Sequence, residues 1–163
     1  MDLCRIGQFR IKNETETKVF AEEVAAFADV GDVICLFGGL GAGKTNFSRS
    51  FIRSLTKPSQ DVPSPTYTLV QSYEIQKHSN LIEIWHFDLY RISEEVEIME
   101  LGIEDACSDG IVLIEWPENA LRLLPERRLE IHFEFSQHHE ERILTLRGSK
   151  QWRNLNIKNI GIF

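Results

Sequence analysis

Residues Val33 to Leu55, VICLFGGLGAGKTNFSRSFIRSL, run from apolar residues through four glycines in six positions to a Lys-Thr pair. Val33 to Phe37 is apolar throughout and bounded by Gly31 and Gly38, too short for a helix and suited to a strand covered on both faces. From Lys44 the spacing of Phe47, Phe51 and Leu55 puts one apolar face on a helix that KPSQDVPSP then ends. Strand, glycine turn and helix in immediate succession predict an α/β fold with this strand at its centre.

Gly38, Gly43, Lys44 and Thr45 satisfy G-x-x-x-x-G-K-[ST] between the strand and the helix, the context a P-loop requires. Glycines let successive N–H groups turn toward phosphate oxygens, and the helix N-terminus adds a partial positive charge. In such a loop Lys44 reaches the β and γ phosphates, and the Thr45 hydroxyl ligates Mg²⁺.

The rest of the chain fits one α/β domain over residues 1–163, with a mixed parallel and antiparallel sheet flanked by helices. IGQFRI predicts a first strand, and Asn13 with Glu16 forms a capping-box spacing ahead of an apolar helical pattern. TYTLVQSYEI and LIEIWHFDLY predict an antiparallel hairpin around QKHSN, and SEEVEIMELGI a helix capped by Ser93. GIVLIEW repeats the buried-strand signature, and RRLEIHFEF alternates like a half-exposed strand paired with RILTLRG across the loop of His138 and His139. The stretch after about residue 148 carries no pattern that assigns it.

A net charge of −7 argues against a surface built to grip nucleic acid directly, because such affinity comes mainly from Lys and Arg neutralising phosphates. Three widely spaced cysteines suggest neither a disulfide framework nor a thiolate metal site. With no long apolar run and no signal-like N-terminus, a cytoplasmic protein without a membrane contact is expected.

Glu115 ends a buried strand where the second metal-associated carboxylate of a P-loop site is expected, or else marks that strand's exit to solvent. His86 and Asp88 share one strand face, opposite Trp85, Phe87 and Leu89, and are expected to point away from the core. Thr66, between Pro63 and Pro65 on one side and a strand on the other, is either a γ-phosphate sensor or an ordinary loop residue.

LFGGLGAGKTNFSRSF, SPTYTLVQSYE, WHFDLYRI with EEVEIMELGIED, and IVLIEWPE, in this order, resemble the TsaE (YjeE) family over roughly residues 6 to 135. That family is the P-loop ATPase subunit of bacterial tRNA threonylcarbamoyladenosine synthesis. The resemblance implies ATP at Leu40, Gly41, Ala42, Gly43, Lys44 and Thr45, and Mg²⁺ associated with Thr45, Glu115 and Asp88. It also implies that Asp88 and Thr66 act near the γ-phosphate with Lys44 and Glu115, that Trp116 lies beside the metal carboxylate, and that Glu14 approaches from the base side. TsaD and TsaB are the implied partners, with tRNA reached only through them. The family's usual Asp after the first loop glycine is Gly39 here, and its second Thr is Asn46, which puts hydrolysis rate more in question than binding.

Beside this reading of a weak, Mg-dependent ATPase completed by a partner stand two others. A small-molecule kinase needs an arginine-bearing lid, yet Arg53, Arg91, Arg127 and Arg128 are dispersed and read as solvated charges. A GTP switch needs an N-K-x-D-like segment, which is missing after Glu115.

Overall fold

The computed structural model describes residues 3–158 and 160–162. Its strands are β1 (Cys4–Ile11), β2 (Val33–Phe37), β3 (Val70–Lys77), β4 (Asn80–Asp88), β5 (Ile111–Glu115), β6 (Arg128–Phe135), β7 (Arg142–Gly148) and β8 (Gly161–Ile162). They form one mixed sheet in the order β3-β4-β5-β2-β6-β7-β1-β8. The inner strands β4, β5, β2 and β6 are parallel, and β3, β7, β1 and β8 join antiparallel at the flanks. This is the α/β architecture expected, with β2 at the centre and apolar side chains on both of its faces.

Helices α1 (Glu14–Phe27) and α2 (Lys44–Leu55) cover one face. Phe20, Phe47 and Phe51 meet Ile34, Leu36, Leu129 and Ile131 there in the larger core. Helix α1 begins as the capping spacing predicts: Asn13 Oδ1 accepts from the Glu16 amide at 3.0 Å, and Glu16 Oε2 accepts from the Lys12 amide at 2.8 Å. The other face carries a smaller core of Val33, Cys35, Phe87, Val112 and Ile114 under α3 (Glu95–Glu100) and α4 (Ile103–Asp109).

Several boundaries differ from the sequence reading. The segment SEEVEIMELGI is two short helices, because Gly102 adopts φ +79° between them. Ser93 is not the cap; Glu94 holds that position and makes no side-chain capping bond. Strand β3 starts at Val70, since Pro65 to Leu69 close a turn through the Leu69 amide to the Pro65 carbonyl at 2.7 Å. The hairpin loop is two residues, His78 and Ser79, both at positive φ, as the right-handed strand twist favours.

Beyond residue 148 the chain contributes to the fold. Residues Lys150–Asn154 form a 3₁₀ turn that buries Trp152 against Phe27, ring centroids 5.3 Å apart, and Ile157 and Ile160 join the larger core. Among the described residues no helix is long and apolar enough to cross a membrane.

Candidate nucleotide site

The glycine loop leaves β2 and enters α2 with no room for an ordinary residue at its first position. Gly38 has φ +145°, and a Cβ there would lie 2.8 Å from the Phe133 carbonyl oxygen. Gly38→Ala is therefore expected to cost on the order of 2 kcal/mol of stability, read from urea unfolding. At the other end Gly43 takes the left-handed cap position of α2, leaving the first helical amides without a side-chain cap.

Lys44 is buried and donates from Nζ to the carbonyl oxygens of Gly38 and Gly39, the latter at 2.9 Å. Its ammonium also lies 3.9 Å from the Trp116 ring centroid. Burial lowers its pKa, while the nearby charges of Glu115, Glu118 and Asp88 oppose that shift.

Parallel pairing brings the two candidate carboxylates together: Asp88 of β4 and Glu115 of β5 are register partners at the strand ends. Thr45 donates to Glu115 Oε2 at 2.9 Å, so the first turn of α2 reaches the end of β5 directly. The other oxygen, Oε1, is 2.8 Å from His86 Nε2, which serves as the donor toward the carboxylate. Thr66 donates to Asp88 Oδ2 at 3.1 Å, and the Tyr90 amide to Oδ1 at 3.0 Å. Trp116, at φ +58°, turns its ring onto Lys44 and Tyr90, the latter 4.7 Å away between centroids.

The expectation that His86 and Asp88 face away from the core is corrected. Both are buried, at 0 % and 4 % exposure, on the face that carries α2 and the glycine loop. The reason is what covers that end of β4: Ile84 packs in the core under α2 on the His86 side, Phe87 in the core under α3 and α4 on the other, and His86 reaches Glu115 beneath Thr45 of α2. His86 Nδ1 has no partner, although its ring is fully enclosed.

Two cavities meet at the loop. One, of about 310 Å³, is lined by Lys44, Thr45, Thr66, Asp88, Glu115 and Trp116, with Leu40 at its rim. The second, of about 480 Å³, shares Gly41, Ala42 and Gly43 and is walled by Glu14, His139 and Arg142 among others. Glu14 is thus separated from the carboxylate pair by the loop itself. Asn46 fastens that wall, donating from Nδ2 to Glu14 Oε1 at 3.1 Å and accepting from Arg49 Nη1 at 3.3 Å. Gly39 is not forced by space, since a Cβ would meet only the Phe135 ring edge at 3.6 Å.

Sequence reasoning assigned no site role to His86 or Arg142. His86 was visible only as a polar neighbour two residues before Asp88. Arg142 had no signal, because its partners Gly41 and Ala42 lie about a hundred residues away. The arginines read as solvated are each engaged: Arg53 on the Gln60 carbonyl, Arg91 on the Tyr67 ring, Arg127 with Asp32 and Arg128 with Glu130.

A family model described as "Threonylcarbamoyl adenosine biosynthesis protein TsaE" matches residues 11–144. The tRNA threonylcarbamoyladenosine biosynthesis protein TsaE of Rickettsia felis is 40% identical over 124 residues, 76% of this chain and 70% of that protein. The Bacillus subtilis protein of the same name is 38% identical over 125 residues, 76% of this chain and 75% of its own length. The crystal structure of Bacillus subtilis YdiB matches with a TM-score of 0.67 and 29% identity, covering 91% of this chain and 88% of that one. Since the matched segment begins at the last residue of β1, ends within β7 and contains every residue lining both cavities, the chain belongs to the TsaE family.

Proposed function

We propose that this protein binds and hydrolyses ATP with Mg²⁺, in the cytoplasm, and that hydrolysis serves a TsaB and TsaD assembly modifying tRNA with threonylcarbamoyladenosine. The carrying observation is the 2.9 Å contact of Thr45 with Glu115, directly below a glycine loop that leads into the N-terminus of α2, which carries no side-chain cap. Contact with tRNA is then through the assembly, in keeping with the acidic chain.

The residues present fit the metal. Thr45, Glu115 and Asp88 offer only hard oxygen donors, which suit Mg²⁺ rather than a softer ion. Among the described residues no group of three or more His, Cys, Asp or Glu could hold an ion by itself, which fits an ion whose remaining ligands are phosphate oxygens and water. When bound, Mg²⁺ supplies neutralisation of the β and γ phosphate oxygens.

The protein groups divide the remaining work. Lys44 exchanges the Gly38 and Gly39 carbonyls for phosphate oxygens, a trade that strengthens its hydrogen bonds because the new acceptors are charged. Asp88, held at both oxygens by Thr66 and the Tyr90 amide, is the base-like group placed to orient a water toward the γ-phosphate. His86 keeps Glu115 aimed at Thr45. Trp116 and Tyr90 wall the cavity and restrict water around the transferring group. Glu14 and the second cavity take the nucleoside end.

Phosphate release with cognate TsaB and TsaD tests this reading. Asp88→Asn and Glu115→Gln preserve shape while removing charge, and each is expected to lower the rate at least tenfold, about 1.4 kcal/mol in the barrier. No phosphate release by wild type above buffer would remove the ATPase assignment, and wild-type rates in both variants would remove these two carboxylates from the catalytic site. Transfer of phosphate to a small acceptor would favour a kinase instead.

A further inference from the structure

Asp88, Glu115 and Lys44 line one cavity, and their opposite charges do not pair. Among the described residues the Lys44 ammonium makes no ion pair. It takes the neutral carbonyl oxygens of Gly38 and Gly39 instead. Each carboxylate is engaged by donors of its own: Asp88 by Thr66 and the Tyr90 amide, Glu115 by Thr45 at Oε2 and by His86 at Oε1. Of these donors His86 is the most enclosed and has the fewest other uses. Its ring is fully buried, Nε2 lies 2.8 Å from Glu115, and Nδ1 has no partner, which places the ring's proton on Nε2. A buried nitrogen left unsatisfied costs stability that an apolar ring of the same size would not. What the imidazole does for the molecule therefore lies in its one bond to Glu115.

We propose that His86, by holding Oε1, keeps Glu115 from closing onto Lys44, so that the ammonium stays available to phosphate. The inference rests on the nucleotide-binding reading above and adds what keeps its cation accessible. Ammonium and carboxylate attract strongly where water is excluded, and Glu115 is the strongest of the acidic neighbours acting on Lys44. Without the imidazole donor, Oε1 is a buried anionic oxygen lacking a partner, in a cavity whose lining offers it Lys44 as its cation. Exchanging two neutral carbonyls for that oxygen would satisfy both charges. The resulting pair would be hard to reopen, because separating it leaves each charge buried and uncompensated. An ammonium drawn to the end of β5 in this way is withdrawn from the glycine loop, and phosphate must then break the pair before it can bind. Fixed at both oxygens, Glu115 instead stays with Thr45, and Lys44 has only neutral acceptors to give up. His86 acts through Glu115, so it is a positioning residue.

The test is ADP binding by calorimetry in a chelator, where no metal needs Glu115. His86→Phe keeps a ring and removes the donor; His86→Gln keeps a donor near the position of Nε2. His86→Phe is expected to lower metal-free ADP affinity at least about tenfold, as when a hydrogen bond to a charged group must be broken first. His86→Gln should stay close to wild type. Combining His86→Phe with Glu115→Gln should restore affinity to the level of Glu115→Gln alone, because an uncharged side chain cannot capture Lys44. A structural role for His86 would not produce that recovery. Wild-type affinity in His86→Phe, or a double variant that binds no better than His86→Phe, overturns the proposal and leaves nucleotide binding intact. A wild type that binds ADP with Mg²⁺ but not without it also overturns it, since Lys44 then holds no phosphate by itself. The nitrogen resonances of His86 in the wild type supply a readout that needs no variant to fold: the proton should be on Nε2, and finding it on Nδ1 overturns the proposal. A wild type that binds no ADP under either condition removes both readings together.

Discussion

Adding cognate TsaB and TsaD is expected to raise ATP hydrolysis by this protein by about 10³-fold or more, the range seen when a missing cation is supplied in trans. Among the described residues, the 310 Å³ cavity that would hold the γ-phosphate is lined by one cation, Lys44, and by no arginine. Arg142 serves the other cavity, and Arg91 is occupied by Tyr67. Charge developing on the transferring phosphoryl group would therefore meet one ammonium and the metal. The rim of that cavity carries Leu40 at 68% exposure and Tyr90 at 50%, an apolar edge open to a partner. A partner seated there contacts the nucleotide's terminal phosphate, so its affinity should differ between ATP and ADP. Immobilised TsaD with TsaB, challenged with this protein in ATP, a slowly hydrolysed analogue, ADP or no nucleotide, gives both numbers at once. Equal affinity in all four conditions with unchanged phosphate release would end the activation idea and leave the site to another use.

Lys44→Ala should abolish most of the stabilisation that Mg-ATP and Mg-ADP confer. A ligand that binds only the native state adds about 2.7 kcal/mol at a hundredfold excess over its Kd. In the ligand-free protein the ammonium is satisfied by two loop carbonyls and the Trp116 ring. Its removal therefore loosens the loop, and the unliganded melting temperature is expected to shift far less than the liganded one. The decisive measurement is the difference between the two, in wild type and variant, at millimolar nucleotide. A wild-type protein whose melting is unmoved by Mg-ATP would show that the glycine loop is not a phosphate cradle.

How far the sequence carried depended on whether an element's signal was local. Val33 to Phe37 and Ile111 to Ile114 were legible as buried strands because a strand covered on both faces must be apolar at every position. The loop between Gly38 and Thr45 was legible because few residue types tolerate its backbone, and Asn13 with Glu16 because a capping bond spans only three residues. The single helix expected over SEEVEIMELGI failed for the complementary reason. Glycine at position 102 outweighed an apolar spacing that continues past it.

Local pattern thus determined the phosphate loop, the central strands and the residue types at Lys44, Thr45, Asp88 and Glu115. Which face each residue uses was decided by the sheet. The alternation in WHFDLYR is the same whether the face it marks is solvated or covered. Only the docking of α2 and the glycine loop over that end of the sheet turns His86 and Asp88 from surface residues into buried ones. The Thr45–Glu115 contact spans seventy residues and the Arg142–Ala42 contact a hundred, so neither leaves a periodicity or spacing in the chain. Trp152, isolated in a stretch without pattern, becomes core because the open edge of the larger cluster beside Phe27 accepts it. Residues brought together by strand order and helix docking are joined by packing energy, which depends on the whole sheet and has no representation in any short window of sequence.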